Sequence, residues 1–65
     1  MRVTVNGQER ELAAGSSVRD LLLLDGEPVG HVVVEVNREY LPRDQYGARL
    51  REGDRVEIIH PAFGG

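Results

Sequence analysis

A tight β-hairpin is predicted by the stretch from Arg2 to Leu12, RVTVNGQEREL. Polar and apolar residues alternate as far as Val5, and Asn6-Gly7 then supplies the residue pair that two-residue hairpin turns favour. The second strand is polar and mostly charged apart from Leu12, and charge along an edge strand discourages pairing with other chains. We therefore expect two antiparallel strands, the second at the edge of a sheet.

One short helix is predicted to follow the hairpin. Ser17 stands three residues before Asp20, which is the spacing of a capping box at a helix start. The helix should end near Asp25-Gly26. Three residues have the i, i+3, i+4 spacing of a buried stripe, namely Val18, Leu21 and Leu22. A helix of two or three turns is marginal alone, so this one should depend on packing against the sheet.

Two longer strands and a short one complete the predicted sheet. Residues 31–36, HVVVEV, form the most β-prone run of the chain. Residues 40–46 contain a short edge strand that Pro42 stops. Residues 55–60, RVEIIH, form the last strand, which Pro61 ends because proline has no amide donor for the ladder. Side chains expected to point inward on these strands are Val32, Val34, Val36, Val56 and Ile58.

This order of elements, ββαββ, indicates an α+β domain in which one helix covers one face of a mixed sheet. Placing the first strand parallel to the last brings the two most apolar strands to the centre, and the crossover should be right-handed. The result is a β-grasp, or ubiquitin-like, fold over residues 1–60, followed by a flexible tail over residues 61–65. The sheet face opposite the helix should be uncovered and carry Thr4, Val33, Glu57 and Ile59.

The composition excludes several classes of function. The chain has 65 residues, a net charge of −3 and no cysteine, so disulfides, thiolate metal sites and cysteine nucleophiles are excluded. Its eight basic residues are all arginine and scattered singly, which argues against direct binding of nucleic acid. His31 and His60 are far apart in the sequence, so we expect no metal site and no cofactor. Without a long apolar run or a signal-peptide pattern, we expect a cytoplasmic protein that does not contact membranes.

The sequence ends on Gly64-Gly65, shortly after its last strand. Glycine loses more backbone entropy on ordering than any other residue, so this pair does not stabilise a fold. Without Cβ atoms, it can carry the terminal carboxylate through a narrow channel of a partner. Pro61 should direct the tail away from the domain, and a partner pocket should hold Phe63. A frayed end without function is the alternative.

The order of elements, the length and the terminal glycines together resemble a ubiquitin-like sulfur carrier, over the whole chain. Residues 36–46, VNREYLPRDQY, and residues 52–58, EGDRVEI, resemble the ThiS family of thiamine thiazole synthesis. The MoaD family of molybdopterin carriers is the alternative, because the proline in residues 60–63, HPAF, is at least as typical of that family. A Pro-Arg-x-x-aromatic step favours ThiS and consists of Pro42, Arg43 and Tyr46.

The resemblance implies that the protein is a carrier and not an enzyme. A ThiF-like adenylating enzyme would join the Gly65 carboxylate to AMP from ATP, with Gly64 beside it in the channel. Sulfur from a partner's persulfide would then replace AMP and leave a thiocarboxylate. A ThiG-like thiazole synthase would receive the sulfur, whereas in related pathways the acceptor is a molybdopterin precursor or tRNA. A β-grasp binding module without carrier activity is a further alternative.

The uncovered sheet face is the predicted docking surface for the adenylating enzyme. Val33 and Ile59 would form its apolar centre, since two exposed β-branched residues on an otherwise charged face suggest a partner. Arg55 would belong to the rim, and Pro61 and Phe63 would contact the partner beyond the last strand.

Overall fold

The computed structural model describes residues 1–61, and residues 62–65 lie outside the described part of the chain. The predicted α+β, β-grasp fold is confirmed: one helix packs on a mixed five-stranded sheet. The formula ββαββ did not count the short edge strand, which is the fourth of the five. The elements are β1 (Arg2–Val5), β2 (Gln8–Glu11), α1 (Val18–Leu24), β3 (Val33–Val36), β4 (Glu39–Leu41) and β5 (Arg55–Ile59).

The strands lie in the order β2-β1-β5-β3-β4. β1 runs parallel to β5, with Thr4 beside Arg55 and Val5 beside Val56, and the other neighbouring pairs are antiparallel. β2 and β4 are therefore the edges, and the predicted positions of the charged second strand and of the first and last strands are confirmed.

The capping box at the start of α1 forms as predicted. The amide of Ser17 donates to Oδ2 of Asp20 at 2.9 Å, and the amide of Asp20 donates to Oγ of Ser17 at 3.1 Å. At the other end, Asp25 caps the helix and receives two hydrogen bonds from the guanidinium of Arg10, at 2.7 and 2.8 Å. The helix is thereby fixed to β2 as well as to the core.

The core lies between α1 and the sheet and consists of aliphatic side chains with one tyrosine. Leu21 and Leu22 are fully buried against Val34 and Val56 in the centre of the sheet. Tyr46 and Leu50, from the long connection after β4, are also buried and were not foreseen as core residues. The buried apolar residues are Val3, Val5, Leu12, Val18, Leu21, Leu22, Val32, Val34, Tyr46, Leu50, Val56 and Ile58.

Two strands are shorter than predicted: β3 does not include His31 at its start, and β5 does not include His60 at its end. His31 is not in a strand, because Val29–His31 form a 3-10 turn in which the His31 amide donates to the carbonyl of Pro28 at 2.8 Å. β3 therefore begins at Val33. Since β5 pairs Ile59 with this first residue of β3, β5 ends there and His60 lies beyond it.

Candidate docking face and tail base

The sheet face turned away from α1 carries an apolar pair at the end of its central strands. Val33 on β3 lies directly opposite Ile59 on β5 in the antiparallel ladder, so their side chains are neighbours on the same face. Ile59 is 41 % exposed and Val33 is half-buried. The structure thus brings together the two residues that the sequence placed at the centre of a docking surface.

Tyr40 extends this apolar surface and was missed by sequence reasoning. It lies opposite Glu35 on the edge strand β4 and is 65 % exposed. Alternation along β4 could have indicated the sheet face to which the Tyr40 side chain points. Its neighbours on that face, however, depend on the strand register, which cannot be read from the sequence. We call Val33, Ile59, Tyr40 and the acidic pair Glu35 and Glu57 the docking face.

The acidic pair gives the docking face its charge. Glu35 on β3 lies directly opposite Glu57 on β5, and both are half-buried. Like charges directly opposite each other destabilise a sheet. A cationic group on a bound partner would relieve this repulsion, so the face suits a partner with an apolar centre and a basic group beside it.

Arg55 lies at the other end of the face. It is exposed and four residues before Ile59 on β5, which is about 13 Å along the strand at the usual rise. Its amide donates to Oδ1 of Asn37 at 2.9 Å, which holds this end of β5 to the turn after β3. The rim role of Arg55 stays a prediction.

An open groove of about 650 Å³ adjoins the docking face at the end of β5. Arg43 crosses it and donates to the carbonyl of Gly30 at 3.3 Å. Burial raises the pKa of the Tyr46 phenol at the base of the groove, and the charge of Arg43 partly opposes that rise. The groove lining includes Arg19, His31, Val33, Tyr40, Arg43 and Pro61.

The base of the tail is at Pro61, which is half-exposed and borders this groove. The chain therefore leaves the sheet beside Val33 and Tyr40. The roles predicted for Phe63, Gly64 and Gly65 fall outside the described residues and remain predictions. Within residues 1–61, no three histidine, aspartate or glutamate side chains are grouped so that they could hold a metal ion. In the same part of the chain, no helix has the length and apolar character needed to cross a membrane.

Comparison with known proteins gives consistent matches over the whole chain. The model of the ThiS family matches residues 3–65. Thiazole synthases of Magnetococcus marinus and Paramagnetospirillum magneticum are each 35 % identical over 66 residues, which cover 100 % of this chain and 20 % of their own length. The chain thus spans about a fifth of the length of these curated relatives.

Two solved structures are similar throughout. The crystal structure of the thiamine biosynthesis protein ThiS from Geobacter metallireducens has a TM-score of 0.83 and 35 % identity, and the match covers 100 % of both chains. An NMR solution structure of a thiamine biosynthesis protein from the same organism has a TM-score of 0.79 and 33 % identity, covering 100 % of this chain and 88 % of that one.

Proposed function

The chain belongs to the ThiS family of ubiquitin-like sulfur carriers, and we propose that its Gly65 carboxylate is adenylated and then converted to a thiocarboxylate that supplies sulfur for the thiazole of thiamine. The observation that carries this proposal is the family match, which extends to the terminal Gly64-Gly65 pair. The family and its solved structures favour thiamine biosynthesis over the molybdopterin and tRNA pathways.

The proposed cycle needs a partner for every bond-making step. A carboxylate oxygen of Gly65 attacks the α-phosphorus of ATP on a ThiF-like enzyme, and pyrophosphate leaves. The terminal sulfur of a partner's persulfide then attacks the acyl carbon, and AMP leaves. A second thiol of the partner cleaves the resulting S–S bond, which forms a disulfide on the partner and releases the thiocarboxylate. This chain contains no cysteine, so it cannot supply the persulfide itself.

The docking face is the proposed contact with the adenylating enzyme. Its apolar pair, Val33 and Ile59, lies at the end of β5 from which the chain continues through Pro61 toward Gly65. A partner bound there is close to the base of the tail, so binding and positioning of the carboxylate are coupled. Arg55, at the rim of the docking face, would contact the same partner.

A thiazole synthase is the proposed sulfur acceptor. Two proteins named thiazole synthase contain a stretch that is similar to this entire chain and makes up 20 % of their length. A carrier-like segment and a protein of that name therefore occur together in one polypeptide, which supports a functional association between them.

The proposal predicts a mass change on the protein isolated from its native host. We expect an intact-mass spectrum to contain a species heavier by the difference between one sulfur and one oxygen atom, located by fragmentation at Gly65. The matched control is a chain that lacks Gly65, expressed in the same host, in which the heavier species should be absent. A heavier species of equal abundance in the shortened chain would overturn the proposal, and so would its absence from the full chain in cells that are making thiamine.

A further inference from the structure

The last strand leaves the sheet through three successive anchors. The Ile58 amide donates to the side-chain oxygen Oδ1 of Asn6 at 2.7 Å. Ile59 pairs with the first residue of β3. His60 lies beyond both neighbouring strands, and its Nε2 contacts Oε2 of Glu27 in the connection that follows α1. This contact is therefore the final anchor before Pro61 and the tail.

Glu27 is held firmly enough to serve as an anchor. Its amide donates to the carbonyl of Leu22 at 2.8 Å, which fixes it to the end of the helix. Its side chain is 21 % exposed, and Oε2 is buried with no aligned hydrogen-bond donor among residues 1–61. Nε2 of His60 lies beside this oxygen, within ion-pair range. A buried carboxylate oxygen is costly without a compensating partner, and the imidazole of His60 is placed to provide one.

We propose that Glu27 and His60 form a latch that sets the direction in which the tail leaves the domain, and that both are positioning residues for adenylation. This inference rests on the proposed function. The docking face fixes the body of the carrier on its partner, whereas the latch fixes the connection between the body and the reacting carboxylate. Reaction rates depend steeply on such placement, because small displacements of a reacting group lower the rate strongly.

The charged groups around the latch provide a matched control. Arg10 and Asp25 form a second partly exposed ion pair, from β2 to the end of α1, on the helix side of the molecule. Asp25 precedes Glu27 by two residues, but its carboxylate already accepts hydrogen bonds from both terminal guanidinium nitrogens of Arg10. Breaking that pair should affect stability without changing how the chain leaves β5.

The functional test measures adenylation kinetics with the adenylating enzyme of the same host and ATP. In Glu27→Gln we expect kcat to fall about two- to fivefold, a factor that a partly exposed ion pair can supply, with KM unchanged. His60→Gln should have the same effect, whereas His60→Lys, which places a positive charge beside Glu27, should retain most of the wild-type kcat. Asp25→Asn should leave kcat unchanged.

A second measurement examines the latch without a partner. In ¹⁵N relaxation, the His60 amide should have an order parameter near the rigid value of about 0.85 in the wild-type chain and below about 0.6 in Glu27→Gln. Glu35→Gln, which removes a glutamate charge from the sheet, should leave the value for His60 unchanged.

The outcomes separate the latch from the carrier function. If the wild-type chain is not adenylated, the proposed function is wrong and the latch has no role in it. If the wild type is adenylated but Glu27→Gln has the same kcat, or if only KM changes, the latch is wrong while the carrier function stands. Equal losses in His60→Lys and His60→Gln would also overturn the latch, as would an unchanged order parameter at His60.

Discussion

Asn37 and Arg38 adopt left-handed backbone conformations, with φ of 52° and 69°, in the turn between β3 and β4. The turn between β1 and β2 has the same form, with φ of 49° at Asn6 and 82° at Gly7. The sequence identified the first hairpin because Asn-Gly is typical of this turn. Asn37-Arg38 gives no such signal, since arginine is seldom found in the left-handed region.

Arg38→Gly should therefore stabilise the protein. It removes left-handed strain of about 1–2 kcal/mol and adds backbone entropy to the unfolded chain, which offsets about 0.4–1 kcal/mol of that gain. We expect the free energy of unfolding in urea to rise by about 0.5 kcal/mol. Gly7→Arg is the reverse control. It introduces left-handed strain without a steric clash, because a Cβ at Gly7 would meet nothing within 4 Å. This strain exceeds the gain from lower entropy of the unfolded chain, so the free energy of unfolding should fall. A less stable Arg38→Gly chain would contradict this account.

The helix α1 shows, at the scale of elements, what local sequence can determine. Its start, its end and its buried stripe were predicted because they depend on capping side chains and on spacing within one segment. The start of β3 was wrong because a 3-10 turn at Val29–His31 takes His31 out of the strand. Tyr46 and Leu50 could not be assigned to the core, since their burial depends on how a long connection folds back over the sheet.

The capping box should make the stability of α1 depend on pH. The hydrogen bond from the Ser17 amide is the largest cause that holds the pKa of Asp20 below its usual value. A carboxyl whose pKa is lower in the folded state stabilises the protein above its unfolded pKa of about 3.9, and this contribution is lost as pH falls through the lower folded pKa.

Asp20→Ala should thus lower Tm at neutral pH, and its difference from the wild type should shrink as the pH falls through the acidic range below about 4. Ser17→Ala is the control. It costs about 1 kcal/mol of cap stability at neutral pH. Because the Ser17 hydroxyl is the second cause that lowers the pKa of Asp20 while the larger cause, the Ser17 amide, remains, the difference of Ser17→Ala from the wild type should shrink less with falling pH than that of Asp20→Ala. Calorimetry at several pH values provides the measurement, and a constant difference for Asp20→Ala would refute the linkage.

At the scale of the whole molecule, the fold separates two apolar surfaces. Alternation was sufficient to predict that Val33 and Ile59 share the uncovered face, and they meet there because β3 and β5 are neighbours. Tyr40 was missed because its neighbours depend on the register of β4, and the contact between Glu27 and His60 was not predictable because it requires the path of the connection after α1. The helix presents a different exposed residue, Leu24, which is 70 % exposed.

This separation permits a test of which surface binds the adenylating enzyme. Ile59→Asp places a third carboxylate beside Glu35 and Glu57 and removes the centre of the docking face. Loss of a central interface residue commonly costs more than 1–2 kcal/mol, so we expect KM for the carrier to rise about tenfold or more while kcat at saturation changes little. Leu24→Asp introduces the same charge at an exposed leucine on the helix and should leave KM unchanged. Thermal unfolding of both variants establishes that they are folded at the assay temperature. If KM for Ile59→Asp stays within about twofold of the wild type, or if Leu24→Asp raises it equally, the adenylating enzyme does not bind through the docking face.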